Sequence, residues 1–492
     1  MYIPSKRLTS YDGESVWSHV RIARDVEDLR THLAEAERRG WKVSIRSGQM
    51  SFDSQALNTG MVIQLQSFDA IGDVTPEGTI TVGAHATWGA ILEVTRRAGY
   101  VPYAMASTER ATAGGTLSAD CLSRFSPSCG KEGNHVARVR LMTVDGSIAY
   151  CSRTENPELF RGMISGFGFV GIALEITHEL LKVGFSDIVV KTEFTQFTGL
   201  AGLAHALVTK VDARPLLETT PAPSRMNKKA AATDMEAISA VVYLSGGRGG
   251  FVMHSRYVDG ASHPLAPSPF HQPKSLVQRA LQLLAYFGPA RAIGYIYLRD
   301  VYLPRHPHAV DTLEGFTFFQ GGNDAVMRRG RALGIPMGIR QQTWVVPMVA
   351  DDPEQTKQKL AQFLEQTDAL LDARGLLPPL IDVLFLPDDS GEGFVLSSNR
   401  GISGYAVTVT FEAPFRTEFP DEELACHEIS RICAAMGGRV HLVKNVFADC
   451  AALEIMYAEG ISELRALKAK VDPSHALSNG FLRRIAPSLF SA

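Results

Sequence analysis

The chain has 492 residues, of which 45% are hydrophobic and 21% charged, and its formal net charge is -3. That length can bury a large core and hold two or more domains, and the near-neutral balance gives no reason to expect nucleic acid or an anionic membrane as partner. No apolar run approaches the roughly 18 residues that span a bilayer, and the opening MYIPSKRLTSYDGESVW has no apolar core of a secretory signal.

Taken in order, VEDLRTHLAEAERRG (26–40) carries apolar residues at helical spacing before a glycine stop, which predicts a helix. WKVSIRSG predicts a strand running into a small-residue turn, and Met61 to Leu65 and Thr79 to Ala84 predict further strands. Trp88 to Gly99 reads as a second helix. Arg138 to Tyr150 reads as a hairpin turning at Asp145-Gly146. A short helix at Asn156 to Phe160 precedes the strand in GFVGIALEITHELLKV. The first part therefore reads as α+β. Pro215 to Ala232, with its prolines, lysines and alanines, predicts a loop inside a second domain. Alternation returns in AISAVVYLSGG, GFVMHSRYV, TWVVPMV, PLIDVLFL and GYAVTVTFEAPF, as expected of an antiparallel sheet with one covered face. Helices are predicted at Pro353 to Gly375, Asp421 to Met436 and Ile461 to Val471, the last broken by Asp472-Pro473.

The most informative stretch is Thr112 to Val136, TAGGTLSADCLSRFSPSCGKEGNHV. Gly114 and Gly115 sit among small residues, and Gly130 and Gly133 follow Asp120. Glycines can bring bare backbone N–H groups close to an anion, or can simply turn the chain. No G-x-G-x-x-G opens a helix after a first strand, and no Lys-Ser/Thr ends the stretch, so neither a Rossmann site nor a P-loop is present. The six cysteines are scattered without a C-x-x-C and read as free thiols in a reducing cytoplasm. No cluster suggests a metal.

Seven segments in order carry a resemblance: KRLTSYDG, RSGQMSFDSQAL, STERATAGGTLSAD, GNHVARVRLMTVDGSI, ELFRGMISGFGFVGI, GGRVHLVKN and MYAEGISELRALKAKVDPSHALSNGFLRRI. Together they resemble the vanillyl-alcohol oxidase / p-cresol methylhydroxylase superfamily of FAD-dependent oxidoreductases. The likeness is nearest to the oxidase subunit of decaprenylphosphoryl-ribose 2-epimerase and more distant to alditol oxidases. It implies an α+β fold in which a two-subdomain FAD-binding domain (1–188) is joined to a cap (189–427) with an antiparallel sheet and flanking helices. A C-terminal segment (428–492) would return to the flavin.

By the same resemblance, a first loop of Arg46, Ser47, Gly48, Gln49, Met50, Ser51 and Phe52 meets the cofactor. A second loop offers Ser107, Thr108, Thr112, Gly114 and Gly115, followed by Ala119, Asp120, Cys121 and Leu122, with Ile172 and His441 from elsewhere. Met50 stands where many members carry a flavin-linking histidine, and a thioether is no nucleophile for that bond, so non-covalent FAD is expected. A link through Cys121 or Cys129 stays open. Lys444, Gln341 and Arg124 are the expected catalytic and pocket residues, with the Lys444 ammonium stabilising reduced flavin. Leu122, Phe385 and Thr408 replace a histidine, a lysine and a cysteine of the epimerase oxidase, which predicts a less polar substrate pocket. The implied reaction moves hydride from a hydroxyl-bearing or otherwise activated carbon of a small molecule, a sugar or polyol derivative, to flavin N5. A tailoring or oxidative-cyclisation enzyme is the alternative, and a flavin-fold protein that binds without turnover is a third reading, against which the presence of Lys444 argues. The electron acceptor, oxygen or another, and the oligomeric state are not legible.

Overall fold

Apolar residues at every second position, Val43 and Ile45, then Met61, Ile63 and Leu65, make strands whose side chains are buried, Ile45 only in part. In the computed structural model, which describes residues 5–185, 187–212, 232–244, 247–266, 268 and 288–490, they build the first of three sheets. This sheet holds β1 (Lys6–Thr9), β2 (Ser15–Ala23), β3 (Val43–Arg46) and β4 (Met61–Leu65) in the order β1-β2-β4-β3. The β2–β4 and β3–β4 pairs are parallel. The crossover is helix α1 (Val26–Arg39), capped by the Asp25 carboxylate, which accepts from the Asp28 N–H. Gly40, at φ 65°, closes it.

The second sheet holds β5 (Thr79–Gly83), β6 (Tyr100–Pro102), β7 (Val136–Met142), β8 (Ile148–Ser152) and β9 (Ile172–Lys182). Its order is β5-β9-β7-β8, with β6 also on β9, and every pair is antiparallel. The predicted hairpin is β7–β8, with Gly146 at φ 81° in its turn. Helix α2 (Trp88–Arg97) and helix α3 (Ala113–Ala119) complete this part. The expected glycine-rich loop is thus partly a helix. Small residues are needed there because α3 abuts the end of β5: a Cβ on Gly114 would fall 2.8 Å from Ala84 Cβ and 2.9 Å from its carbonyl oxygen.

The third sheet has eight strands: β10 (Ile188–Thr198), β11 (Glu236–Tyr243), β12 (Gly249–Asp259), β13 (His308–Thr312), β14 (Met337–Pro347), β15 (Leu380–Leu386), β16 (Gly404–Pro414) and β17 (Arg439–His441). The order is β13-β10-β12-β11-β15-β16-β14-β17, antiparallel throughout. Helix Leu200–Asp212 packs on β10, β11 and β12, and helices Pro353–Ala373 and Pro420–Ala435 pack against β14. β17 lies beyond residue 427, so the C-terminal segment supplies an edge strand to the sheet expected of the cap alone. The strands β1, β2, β10 and β13 and the helix Leu200–Asp212 are not evident from pattern, because polar residues interrupt the alternation in the first two and the others adjoin segments of mixed composition. The expected loop at Pro215 to Ala232 lies, up to residue 231, outside the described residues.

The end of the chain is tied to the first sheet by a buried charge pair. Lys468, at the end of the helix Ala458–Val471, sits 2.7 Å from Asp472, and both side chains are inaccessible. Lys468 Nζ also donates to the carbonyls of Leu477, at 2.7 Å, and Phe169. Asp472 accepts the N–H groups of Ala476 and Leu477, and Leu477 bridges to Val43. Burial pulls the Lys468 ammonium down to about 8, against the pull of Asp472. Removing one member of such a pair strands the other charge. Lys468→Met is therefore expected to lower unfolding stability by roughly 3–5 kcal/mol, read from the urea midpoint. A loss within about 0.5 kcal/mol, the range of an ordinary surface change, would show that the C-terminal closure does not depend on the pair.

Candidate functional site

A cleft runs between the two smaller sheets and one face of the third, and it encloses about 2320 Å³ of space, open solvent at its mouth included. The turn after β3 supplies one wall, with Ser47, Gly48, Gln49, Met50, Ser51 and Phe52 on it. Gln49 is held at φ 61°, a conformation that costs a residue with a side chain and gathers at functional loops. Gly48 has no room for a Cβ, which would meet the Arg110 carbonyl oxygen at 2.9 Å. Arg46 does not line the cleft. It is buried, and its guanidinium donates to the Thr9 carbonyl at 2.7 Å.

The second wall comes from Ser107, Thr108, Thr112, Gly114, Gly115, Ala119, Cys121, Leu122 and Ile172. The backbone donors here are not all bare, because Ala113 and Gly114 give their N–H groups to the carbonyls of Ala86 and Ala84. Gly115 differs from Gly114: a Cβ there would meet only Thr112 Oγ1, at 3.2 Å. Asp120 is also not on the wall. It ends α3 at φ 51°, pairs with buried Lys131 at 2.5 Å and accepts the Gly133 N–H at 2.9 Å. Cys121 lines the cleft, but burial pushes its thiol up to about 12, which leaves it protonated and a poor nucleophile. Cys129 is not on the wall, and its thiol donates to the carbonyls of Phe125 and Tyr103.

The third sheet forms the remaining wall. Gln341 on β14 is 4% exposed, and its Nε2 donates to Thr410 Oγ1 at 2.8 Å. His441 on β17 faces Ser398 Oγ through Nδ1 at 2.7 Å, and burial beside Lys131 and Lys444 keeps it neutral. Three residues on, Lys444 places its Nζ 4.1 Å from the centre of the Phe52 ring. Its backbone is fixed by Asn445, which exchanges two hydrogen bonds with the main chain of Gln341 and donates to Asp12. Burial lowers the Lys444 pKa, while Cys121, Asp324 and Asp382 act to keep it charged. The Arg124 guanidinium lies over Phe319 and Phe316, at 3.8 and 4.8 Å from their centres. Burial pulls it down to about 10, opposed by Asp382 and Asp311.

Phe385 does not reach the cleft. It packs against Tyr405 on the other face of β15, while Asp382 and Leu384 line the wall. The expected place of Phe385 in the pocket is therefore corrected. Leu122 and Thr408 are on the wall, but Asp382, Asp324, Arg124 and Lys444 all reach the same space. The two aspartates went unremarked in the sequence. Asp382 could have been found as the one charge inside the apolar run LIDVLFL. Asp324, whose Oδ1 accepts from the Tyr11 hydroxyl at 2.6 Å across more than three hundred residues, carries no sequence signal.

Several buried polar atoms around this cleft have no partner: Thr108 Oγ1, Thr112 Oγ1, Asp324 Oδ2, Gln341 Oε1 and His441 Nε2. Each such atom costs about 1–3 kcal/mol unless something bonds to it. A polar ligand threaded between apolar Met105, Ala106, Leu117 and Ile172 would answer them, and a flavin dinucleotide has that character. Among the described residues, no group of three or more His, Cys, Asp or Glu side chains could hold a metal ion, and no helix is long and apolar enough to cross a membrane.

Residues 17–152 match the model of an FAD binding domain. The chain is 31% identical over 132 residues to an FAD-linked oxidoreductase, fogF, of Aspergillus ruber, covering 27% of this chain and 26% of that protein. It is 32% identical over 111 residues to cytokinin dehydrogenase 8 of Oryza sativa subsp. indica, covering 23% and 21%. It is 29% identical over 178 residues to cytokinin dehydrogenase 5 of Oryza sativa subsp. japonica, covering 34% and 33%. The chain thus spans about a quarter of the length of the first of these relatives. These matches support the flavoprotein superfamily that the motifs resemble, and FAD as the cofactor.

The two neighbouring glycines of α3 should separate in their effects. Gly115→Val should fold with an almost unchanged melting temperature, yet purify with little flavin. Gly114→Val should lose stability and flavin together, since the Ala84 backbone cannot step aside. Circular dichroism melting and the flavin-to-protein ratio after desalting read both. Full flavin occupancy in Gly115→Val would place the cofactor away from α3.

Proposed function

We propose that this protein is an FAD-dependent oxidoreductase that takes hydride from a hydroxyl-bearing carbon of a small molecule. The observation that carries the reading is Lys444. It is a half-buried lysine in the turn after β17, from a distant part of the chain, with its ammonium held over Phe52 of the first cleft loop. FAD supplies the two-electron chemistry when bound, and the protein orients the substrate and stabilises the charge that develops. The loops 47–52 and 107–115, with Ile172 and His441, hold the cofactor. Gln341 offers an unpartnered amide oxygen to a substrate hydroxyl. Met50 at the linking position supports non-covalent attachment. The free state of all six cysteines suits a reducing compartment.

The finer likeness to the epimerase oxidase rests on Lys444, His441 and Gln341, and Leu122 and Thr408 depart from it. A second reading, a tailoring or oxidative-cyclisation enzyme, is favoured by the aromatic wall of Phe316 and Phe319 beside Arg124, which suits a substrate with an apolar body.

The purified protein should be yellow, and acid precipitation should release the colour. Flavin fluorescence that stays with the polypeptide on a denaturing gel would refute non-covalent attachment. Lys444→Ala should keep FAD but bind sulfite much more weakly, because the adduct places negative charge on the ring that the ammonium stabilises. Substrate-driven bleaching should slow by roughly 100-fold or more, with partial recovery in Lys444→Arg. Unchanged sulfite affinity would remove Lys444 from the active site.

A further inference from the structure

We propose that Asp382 is the base that takes the proton from the substrate hydroxyl, an inference that rests on reading the cleft as a site of FAD-linked alcohol oxidation. β15 is an interior strand between β11 and β16, and Asp382 is its one charged residue. Cross-strand register sets Asp382 opposite Thr408, Thr408 opposite Thr343, and Thr343 opposite His441. Directly opposed residues share one face of a sheet, and all four line the cleft. They form a polar row across the wall at the strand spacing of about 4.8 Å. The two threonine hydroxyls bond to each other at 2.7 Å, and His441 keeps a free Nε2.

Asp382 itself makes no hydrogen bond or contact ion pair among the described residues. Asp382 is half-buried on the cleft wall, and a carboxylate taken partly out of water with no such partner is costly. The other carboxylate on the wall, Asp324, is engaged by Tyr11, and Asp311 beyond Arg124 accepts the Ser268 N–H. The charges that act on Asp382 are Arg124, from the stretch after α3, and Lys444, from the stretch after β17. Its neighbours in the sheet, Val241 on β11 and Thr408 on β16, are neutral. The turn Ser126–Cys129 that packs on β15 brings only the Cys129 thiol. Cys121, Tyr103 and His441 complete the titratable groups that line the cleft. Burial raises the Asp382 pKa to about 6, with Arg124 and Lys444 opposing. It is therefore a carboxylate at neutral pH and a stronger base than an exposed aspartate.

The step balances. The substrate O–H bond breaks and its proton moves to a carboxylate oxygen of Asp382. The C–H bond breaks and its hydrogen leaves with the electron pair to oxidised FAD, while the electrons of the O–H bond become the new C=O bond. The substrate loses two electrons and two hydrogens. Asp382 returns its proton to solvent when the carbonyl product departs. Because the carboxylate is the working form, the rate should rise with pH through about 6 and then level, and fall as acid protonates Asp382.

The test compares wild-type holoenzyme with Asp382→Asn, and with Asp382→Ser should the amide variant lose flavin. The first probe is sulfite. A charged Asp382 repels the anionic adduct, so wild-type affinity should weaken between about pH 5 and about pH 8 more than in Asp382→Asn, by threefold or more. The second probe is whichever of glycerol, xylitol and 4-hydroxybenzyl alcohol bleaches the wild-type flavin without oxygen. With it, Asp382→Asn should reduce at least about 100-fold more slowly near pH 8 and show no rise through pH 6, while Asp382→Glu recovers part of the rate. An identical sulfite profile, or a rate loss equal at every pH, overturns the proposal. If no alcohol bleaches a yellow wild-type protein, the alcohol reading fails by itself. The sulfite profiles then decide whether Asp382 ionises at the ring.

Discussion

The buried pair of Asp120 and Lys131 is the contact on which the cleft depends. Neither side chain touches solvent, and the two lie 2.5 Å apart. Asp120 ends α3 in a left-handed turn and accepts the Gly133 N–H, so it fixes the exit of the second cleft loop. Lys131 donates onward to Ser397 Oγ at 2.6 Å, and Ser397 donates to Asn399. Asn134 adds a bond to the Asp389 carbonyl. Two charges in a dry interior are tolerable only when each remaining lone pair and proton is used. Here that requirement locks the α3 loop to the connection between β15 and β16, and thereby sets the cleft's width.

The same dryness gives the wall its chemistry. Lys444, Arg124 and Asp382 are each pushed toward their neutral forms by burial; Asp382 holds both cations back, and they hold Asp382 back. A low-dielectric cleft strengthens every such interaction, so a charge appearing on a bound ring or on a substrate oxygen is felt strongly. An exposed lysine at the same distance would be screened by water and would do little.

Geometry at Lys444 comes from sharing a sheet between chain segments. β17 is three residues long and, among the described residues, pairs only with β14. That short ladder places His441 opposite Thr343, and Asn445 then clamps the main chain of Gln341 from both sides. Lys444 is thus positioned by residues about a hundred places earlier in the chain. The Lys468–Asp472 pair and the Leu477–Val43 bridge bring the rest of the segment back to β3, directly below the first cleft loop.

What was legible in the sequence was local. Period-two and period-3.6 patterns mark α1, β4, β9, the β7–β8 hairpin and most strands of the large sheet, because their burial is one-sided or complete over several residues. Motif order pointed to a flavin and to Lys444, Gln341 and the two loops. The glycines at 114 and 115 announced close backbone approach without saying to what; only the fold shows that Gly114 meets the Ala84 backbone and that Gly115 meets only the Thr112 hydroxyl. Pattern set Phe385 in a strand but not on which face. Register decides that, since a one-residue shift exchanges the faces, and it turned Phe385 into the core and Asp382 into the cleft. The Tyr11–Asp324 and Asp120–Lys131–Ser397 contacts join distant residues, so no local pattern encodes them. They exist because a buried polar group is costly unless another group, however far along the chain, bonds to it.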